Sequence, residues 1–388
     1  MPSLRILIAS LAMVFLTNAQ AAAAAPAADF ASPGPDAVGF KQLPLPDKDG
    51  KRPLAVTIWY PAIADPSQPS ATFDAKPGNP SAVRARKDAP PTPIGGPYPL
   101  VIIAHGLMGS GSVYFLWGTH LASYGFVVMT VDAKDFGDTS LDAASNAEAD
   151  AIVLLHDHPN DILREIAFAD TLTAPGGALG AQIDTARIGV WGYAAGGTTA
   201  LQAAGARIDF QALGSWCADK RSDYFAEESC QFVGHETAVA ALYGVTDPMA
   251  EPLPPLADNR VAAIVLAAAG GQLHAFDGDG LTGLAVPALV MAGTGDVSVS
   301  PTYNSRWAFD QIGSPIKALA IFDGGTGRSF RSCCGYDRAQ GGPNLHDLRA
   351  HLTTAFLLDV LKGDPAAHRA LLQGAVDIPG VEYQTTMQ

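Results

Sequence analysis

Gly192-Tyr193-Ala194-Ala195-Gly196 is the segment whose spacing bears most directly on chemistry. Two glycines each stand two positions from a central residue. The apolar run Arg187 to Trp191 before them suits a buried strand, and the alanine-rich run Ala194 to Ala206 after them suits a helix. A strand that turns sharply into a helix around G-x-S-x-G lifts its central side chain to the top of the sheet, where a serine hydroxyl attacks a carbonyl carbon. The glycines are needed because a side chain would collide where the chain doubles back. Here the central residue is Ala194, which brings no hydroxyl.

The other reactive residue types carry weaker signals. His156 and His158 flank Asp157, but one His-x-His without a third ligand at a recognised spacing is a poor metal signature, and neither a metal nor another cofactor is expected. Cys217, Cys230, Cys333 and Cys334 allow three pairings, of which the adjacent Cys333–Cys334 bond would close a strained ring. At least one non-adjacent disulfide is expected if the chain is exported to an oxidising compartment.

Export is what the first 21 residues imply. Met1 to Arg5 is a short basic start, Ile6 to Thr17 an apolar run, and Ala19-Gln20-Ala21 a small-x-small cleavage site, together the pattern of a secretory signal peptide. The run falls short of the roughly 20 residues that a membrane span needs, and no later segment reaches that length. A soluble, secreted or periplasmic chain from residue 22 to 388 is the expectation. Its 48% hydrophobic and 16% charged residues fit one large globular domain and exclude a disordered chain. With 24 Lys and Arg against 38 Asp and Glu, the net charge of −14 argues against binding nucleic acid or an anionic membrane surface.

The elements that must position the elbow follow from apolar periodicity. Phe40 to Leu43 and Leu54 to Tyr60 flank Asp47-Lys48-Asp49-Gly50 as an antiparallel hairpin. Ten prolines between Pro61 and Pro99 predict an irregular stretch. From there, apolar runs at Leu100 to Ala104, Phe126 to Val131, Arg187 to Trp191, Val261 to Ala267, Ala288 to Ala292 and Ala318 to Phe322 read as strands buried on both faces. Helices are predicted over Val113 to Tyr124, Asn160 to Leu172 (apolar face Ile162, Leu163, Ile166, Ala169 and Asp170), Ala194 to Ala206, Thr302 to Ile312 and Leu345 to Leu361. Such alternation specifies an α/β fold with a mostly parallel central sheet flanked by helices. Residues 207 to 258 interrupt it and read as an insertion over the end of the sheet where ligands bind.

With these elements in place, the chain resembles the bacterial α/β-hydrolases grouped with platelet-activating-factor acetylhydrolases and predicted dienelactone hydrolases. The resemblance rests on Val56-Thr57-Ile58-Trp59-Tyr60-Pro61, Pro99 through His105-Gly106, Leu121-Ala122-Ser123-Tyr124-Gly125-Phe126, the elbow, and Ala204-Gly205-Ala206-Arg207-Ile208-Asp209. It implies an α/β-hydrolase fold and a metal-free serine ester hydrolase chemistry acting on a small-molecule ester. Ala194 then stands at the nucleophile position, and the backbone N–H groups of Leu107 and Ala195 form the oxyanion hole. Asp296, in Ala292-Gly293-Thr294-Gly295-Asp296, is the acid of the triad, and His105 orients the oxyanion loop. The base should be a histidine after the last of these strands, but Gly324-Gly325-Thr326-Gly327-Arg328-Ser329-Phe330 puts Gly327 there.

Two of three triad positions therefore lack their chemistry, and efficient acyl-enzyme turnover is not expected of the chain as written. The alternatives are an active ester hydrolase in a parent form with Ser at 194, a displaced base such as His346 near the start of the last long helix, or a non-catalytic binding protein for an apolar or ester ligand. His346 reads more simply as a surface residue.

Overall fold

Alternating apolar runs become a single ten-stranded sheet in the order β12-β11-β10-β9-β8-β6-β7-β2-β1-β5. Its strands are β1 Val38–Leu45, β2 Leu54–Pro61, β5 Ala85–Lys87, β6 Tyr98–Ala104, β7 Val127–Asp132, β8 Ile183–Tyr193, β9 Val261–Ala267, β10 Ala288–Gly293, β11 Lys317–Phe322 and β12 Val381–Thr385. Two short strands, β3 Thr72–Asp74 and β4 Pro80–Ala82, pair separately. The structure is a computed structural model. It describes residues 29–47, 50, 52–65, 67, 72–74, 80–82, 84–106, 111–132, 147–219, 230–270, 273–276, 279–331 and 345–388. The expected signal peptide, Leu107, Cys333 and Cys334 lie outside them.

Strands β7, β6, β8, β9, β10 and β11 are mutually parallel. The predicted hairpin forms, Val38 facing Pro61 and Leu45 facing Leu54, and β2 docks antiparallel on β7. The proline-rich stretch is less irregular than expected, because β5 adds to β1 as an edge strand. Strand β12, which short apolar runs did not announce, closes the other edge antiparallel to β11.

Side-chain alternation explains why the central strands are apolar throughout. In β6, Leu100 and Ile102 point into one core and Val101 and Ile103 into the other. The first core is roofed by the helices His158–Thr173 and Ala195–Ala203, the second by Phe115–Ala122 and Leu345–Lys362. One face was misread from the sequence. Asp170 is exposed and paired with Arg260, while Asp161 and Glu165 occupy the buried stripe of the helix His158–Thr173 with Ile162, Ile166 and Ala169.

The segment between the helix Ala195–Ala203 and β9 contains the helices Phe210–Ala218 and Glu236–Leu242. Asp209 caps the first, its carboxylate accepting from Ala212 N–H at 2.9 Å. A disulfide joins Cys217 to Cys230. The Asp209 N–H to Ala275 O bond at 2.7 Å and the stacking of Trp216 on His274 tie this segment to the loop that follows β9.

Candidate active site

Strand β8 ends at Tyr193 and a helix begins at Ala195, so Ala194 alone makes the turn. Its φ of 49° and ψ of −119° lie in a region that residues with a Cβ rarely occupy, at a cost of about 1–3 kcal/mol. The surroundings hold it there. Ala194 N–H donates to Ala267 O at 3.1 Å, and Ala194 O accepts from Gly197 N–H at 2.9 Å and Gly270 N–H at 3.4 Å. A Cβ on Gly192 would collide with the carbonyl of Gly196, and one on Gly196 with the carbonyls of Ala104 and His105. Both glycines are thus fixed by backbone contact, as their spacing implied.

Ala195 is the first residue of the helix, where an N–H has no partner within the helix and points out of its end. His105, at the end of β6, is 4% exposed, and its Nδ1 lies 2.9 Å from Gly106 O, directly before the position of Leu107.

Asp296 reaches the same end of the sheet from the loop after β10. That loop is knitted to the loop after β11 by Thr294 N–H to Phe322 O at 2.9 Å and Gly295 N–H to Gly325 O at 2.8 Å, which sets Asp296 beside Gly327. One carboxylate oxygen, Oδ1, accepts from Ser298 N–H at 2.9 Å and Val299 N–H at 3.1 Å. The other, Oδ2, is buried without a hydrogen-bond partner among the described residues and faces Gly327, 2.7 Å from where a Cβ there would stand. Burial pushes the carboxyl's pKa up, against the two backbone N–H groups that pull it down.

The turn at Ala194, the start of the helix at Ala195 and the loop that carries Asp296 therefore lie at one end of the adjacent parallel strands β8, β9, β10 and β11. The chain has an α/β-hydrolase fold. A PET hydrolase-like family, the PETase family, matches residues 84–251. The matched stretch includes β6, His105 and the elbow, and stops before Asp296 and Gly327. No curated protein matches the chain.

In this α/β-hydrolase fold His346 stands near the start of the helix Leu345–Lys362. Its ring stacks on Trp117 with centroids 6.2 Å apart, and its side chain is 40% exposed. Burial first, then Arg349, lowers its pKa, opposed by Asp347. His156 pairs with Asp157 at 2.9 Å, and the ring of His158 stands edge-on to that of His105 with centroids 5.3 Å apart.

Three features went unread in the sequence. Tyr193, before the elbow residue, places its ring against Gly106 and Tyr114, and burial pushes its phenol up to about 12 while Arg331, Arg328 and Arg349 pull the other way. At the end of β6 a cavity of about 10 Å³, room for the centre of one water molecule, is lined by Ala104, His105, His158, Asp161 and Thr199. The spacing of Asp161 and Glu165 with Ile162 and Ile166 was the available signal for that buried polar stripe. Finally, His274 is packed between Trp216 at 3.9 Å and Trp307 at 4.3 Å, residues far apart in the chain that no local pattern connects.

Proposed function

We propose that this is an exported protein of the α/β-hydrolase fold that binds a small-molecule ester or apolar carbonyl ligand at the elbow and does not turn it over through an acyl-enzyme. One observation carries the reading. Asp296 keeps the pinned, half-orphaned carboxylate of a histidine-orienting acid, yet its free oxygen faces Gly327, and the elbow presents only the methyl group of Ala194. With no hydroxyl at 194 and no imidazole at 327, the N–H groups that the resemblance assigns to an oxyanion hole, those of Ala195 and Leu107, would be left to polarise a carbonyl. Such a remnant retains at most about 10³- to 10⁴-fold acceleration over water. Within the fold, the motifs that resemble platelet-activating-factor acetylhydrolases and dienelactone hydrolases support descent from ester hydrolases. The signal-like first 21 residues and the Cys217–Cys230 bond support export.

The test is a fluorophosphonate probe together with an uncharged ester offered to the purified mature protein. No covalent labelling, no turnover above background and saturable ester binding are expected. Stoichiometric labelling or sustained turnover would overturn the proposal.

A further inference from the structure

Ahead of β1, residues 29–37 run as an arm against the helices Phe115–Ala122 and Leu345–Lys362 and are bonded to both. Gly34 N–H donates to Ser123 Oγ at 2.8 Å, Asp36 N–H to Ser123 O at 3.0 Å, and the Tyr124 hydroxyl to Ser32 O at 2.7 Å. Phe30 anchors the arm: it is 7% exposed and joins Leu121, Ala122 and Phe356 in the second core. Its ring packs against those of Tyr124 and His351, with centroids 6.0 and 5.7 Å apart.

Both backbone groups of Phe30 are held by imidazoles. Phe30 O lies 3.0 Å from His120 Nε2, which also stands 3.0 Å from Thr354 Oγ1. Phe30 N–H donates to His351 Nδ1 at 3.2 Å. An amide N–H can only donate, so this bond requires a neutral His351 with its one proton on Nε2. An imidazolium carries hydrogen on both nitrogens and would set donor against donor. The contact at Phe30 O has the opposite sense, because a carbonyl only accepts and a protonated His120 can still serve it.

We propose that Phe30 and His351 form an acid-released clasp, which holds residues 29–37 on the two helices while the imidazole is neutral and frees them when it takes a proton. The clasp is independent of any ligand at the elbow. Burial lowers the pKa of His351, opposed by Asp29. An undocked arm leaves that ring in water with a pKa nearer 6.5. The docked arm therefore loses stability as pH falls below about 6.5, by at most about tenfold per pH unit. Two other groups titrate against the same arm. Burial takes His120 down to about 4, with His346 lowering it further and the Phe30 carbonyl, Asp29 and Asp347 opposing. Asp36 works the other way: burial raises its pKa, against the charge of Lys362, so acid favours its docked form.

Hydrogen exchange of the peptide spanning residues 29–37, in the unaltered protein and in His351→Gln, tests this. The Gln amide oxygen can accept from Phe30 N–H at any pH, and His120 and Asp36 are present in both proteins, so the ratio of their protection isolates His351. That ratio should fall at least about threefold between about pH 7.5 and 5. A carbon-13 NMR titration reads the same linkage from the other side and decides the matter where Gln does not restore docking. The pKa of His351 should lie at least about half a pH unit lower in the unaltered protein than in Phe30→Ala, whose arm has lost its anchor. A protection ratio that stays flat or grows with acid overturns the clasp, and so does an equal His351 pKa in the two proteins.

Discussion

Asp296 and Gly327 occupy each other's space: the free carboxylate oxygen of the first stands 2.7 Å from where the first side-chain atom of any other residue at 327 would be. The carboxyl cannot simply swing away, because its other oxygen holds the N–H groups of Ser298 and Val299. A side chain at 327 would therefore require the Asp296 carboxylate to shift. Under the proposed reading, building a triad here thus takes more than two substitutions in name. Ala194→Ser alone should stay at background in an ester hydrolysis assay, since a serine hydroxyl without a base is a poor nucleophile at neutral pH. Ala194→Ser with Gly327→His should rise above it but remain well short of a competent esterase, because a misplacement of about 1 Å costs on the order of 10²-fold. Strong activity from Ala194→Ser alone would move the base elsewhere, and loss of that activity on adding His346→Ala would place it at His346.

Ala194 also tests how firmly the elbow is held. At φ 49° the alanine methyl group is strained by about 1–3 kcal/mol, whereas glycine adopts such a backbone freely and loses about 0.5–1 kcal/mol through its more flexible unfolded chain. Ala194→Gly should raise stability by about 1 kcal/mol, read as a higher urea midpoint at unchanged slope. A lower midpoint would mean that the methyl group packs well enough to outweigh its strain.

How much of this was legible beforehand depended on the range of the interaction. The elbow could be read because Gly192 and Gly196 are excluded from bearing side chains by backbone only a few residues away or on the neighbouring strand, a constraint that a five-residue spacing records. The parallel strands could be read because both faces of Leu100 to Ala104 and Val261 to Ala267 are buried, which leaves uninterrupted apolar runs. Strand β12 was missed because an edge strand needs no such run: in Val381 to Thr385 only Tyr383 is buried. The approach of Asp296 to Gly327 depends on two loops bonded through Thr294 and Gly295, and the His274 stack joins Trp216 to Trp307, so neither leaves a local pattern.

The disulfide predicts a thiol count and a stability change. Cys217 and Cys230 are separated by 13 positions, and cross-linking a loop of this size removes about 3 kcal/mol worth of unfolded-chain entropy. Alkylation of the denatured protein should label two more thiols after reduction than before, and Cys217→Ser/Cys230→Ser should lower the urea midpoint by a corresponding amount. Labelling of all four thiols without reduction would remove the bond.

The buried acid stripe near the end of β6 should make stability fall as pH rises. Asp161 is 3% exposed, and burial raises its pKa from 3.8 to about 6 even though Arg52, at 2.9 Å, and Arg164, at 2.9 Å, favour its charged form. Between these two values the folded chain holds a proton that the unfolded chain has released, so the stability this group contributes is complete below about pH 4 and is lost as pH rises through about 6. A shift of two units corresponds to roughly 2–3 kcal/mol. Asp161→Asn cannot ionise, so the stability of the unaltered protein relative to this variant should decline from pH 4 to about 6.5 and then level off. Glu165 is the complicating neighbour, fully buried with both oxygens unpartnered among the described residues and its pKa raised by burial first and then by Asp161. Comparing Glu165→Gln with Glu165→Gln/Asp161→Asn by urea titration at each pH removes that coupling. A difference that stays flat, or grows with pH, would show that the two arginines hold Asp161 ionised throughout and that the stripe is a permanent ion cluster rather than a proton-binding one.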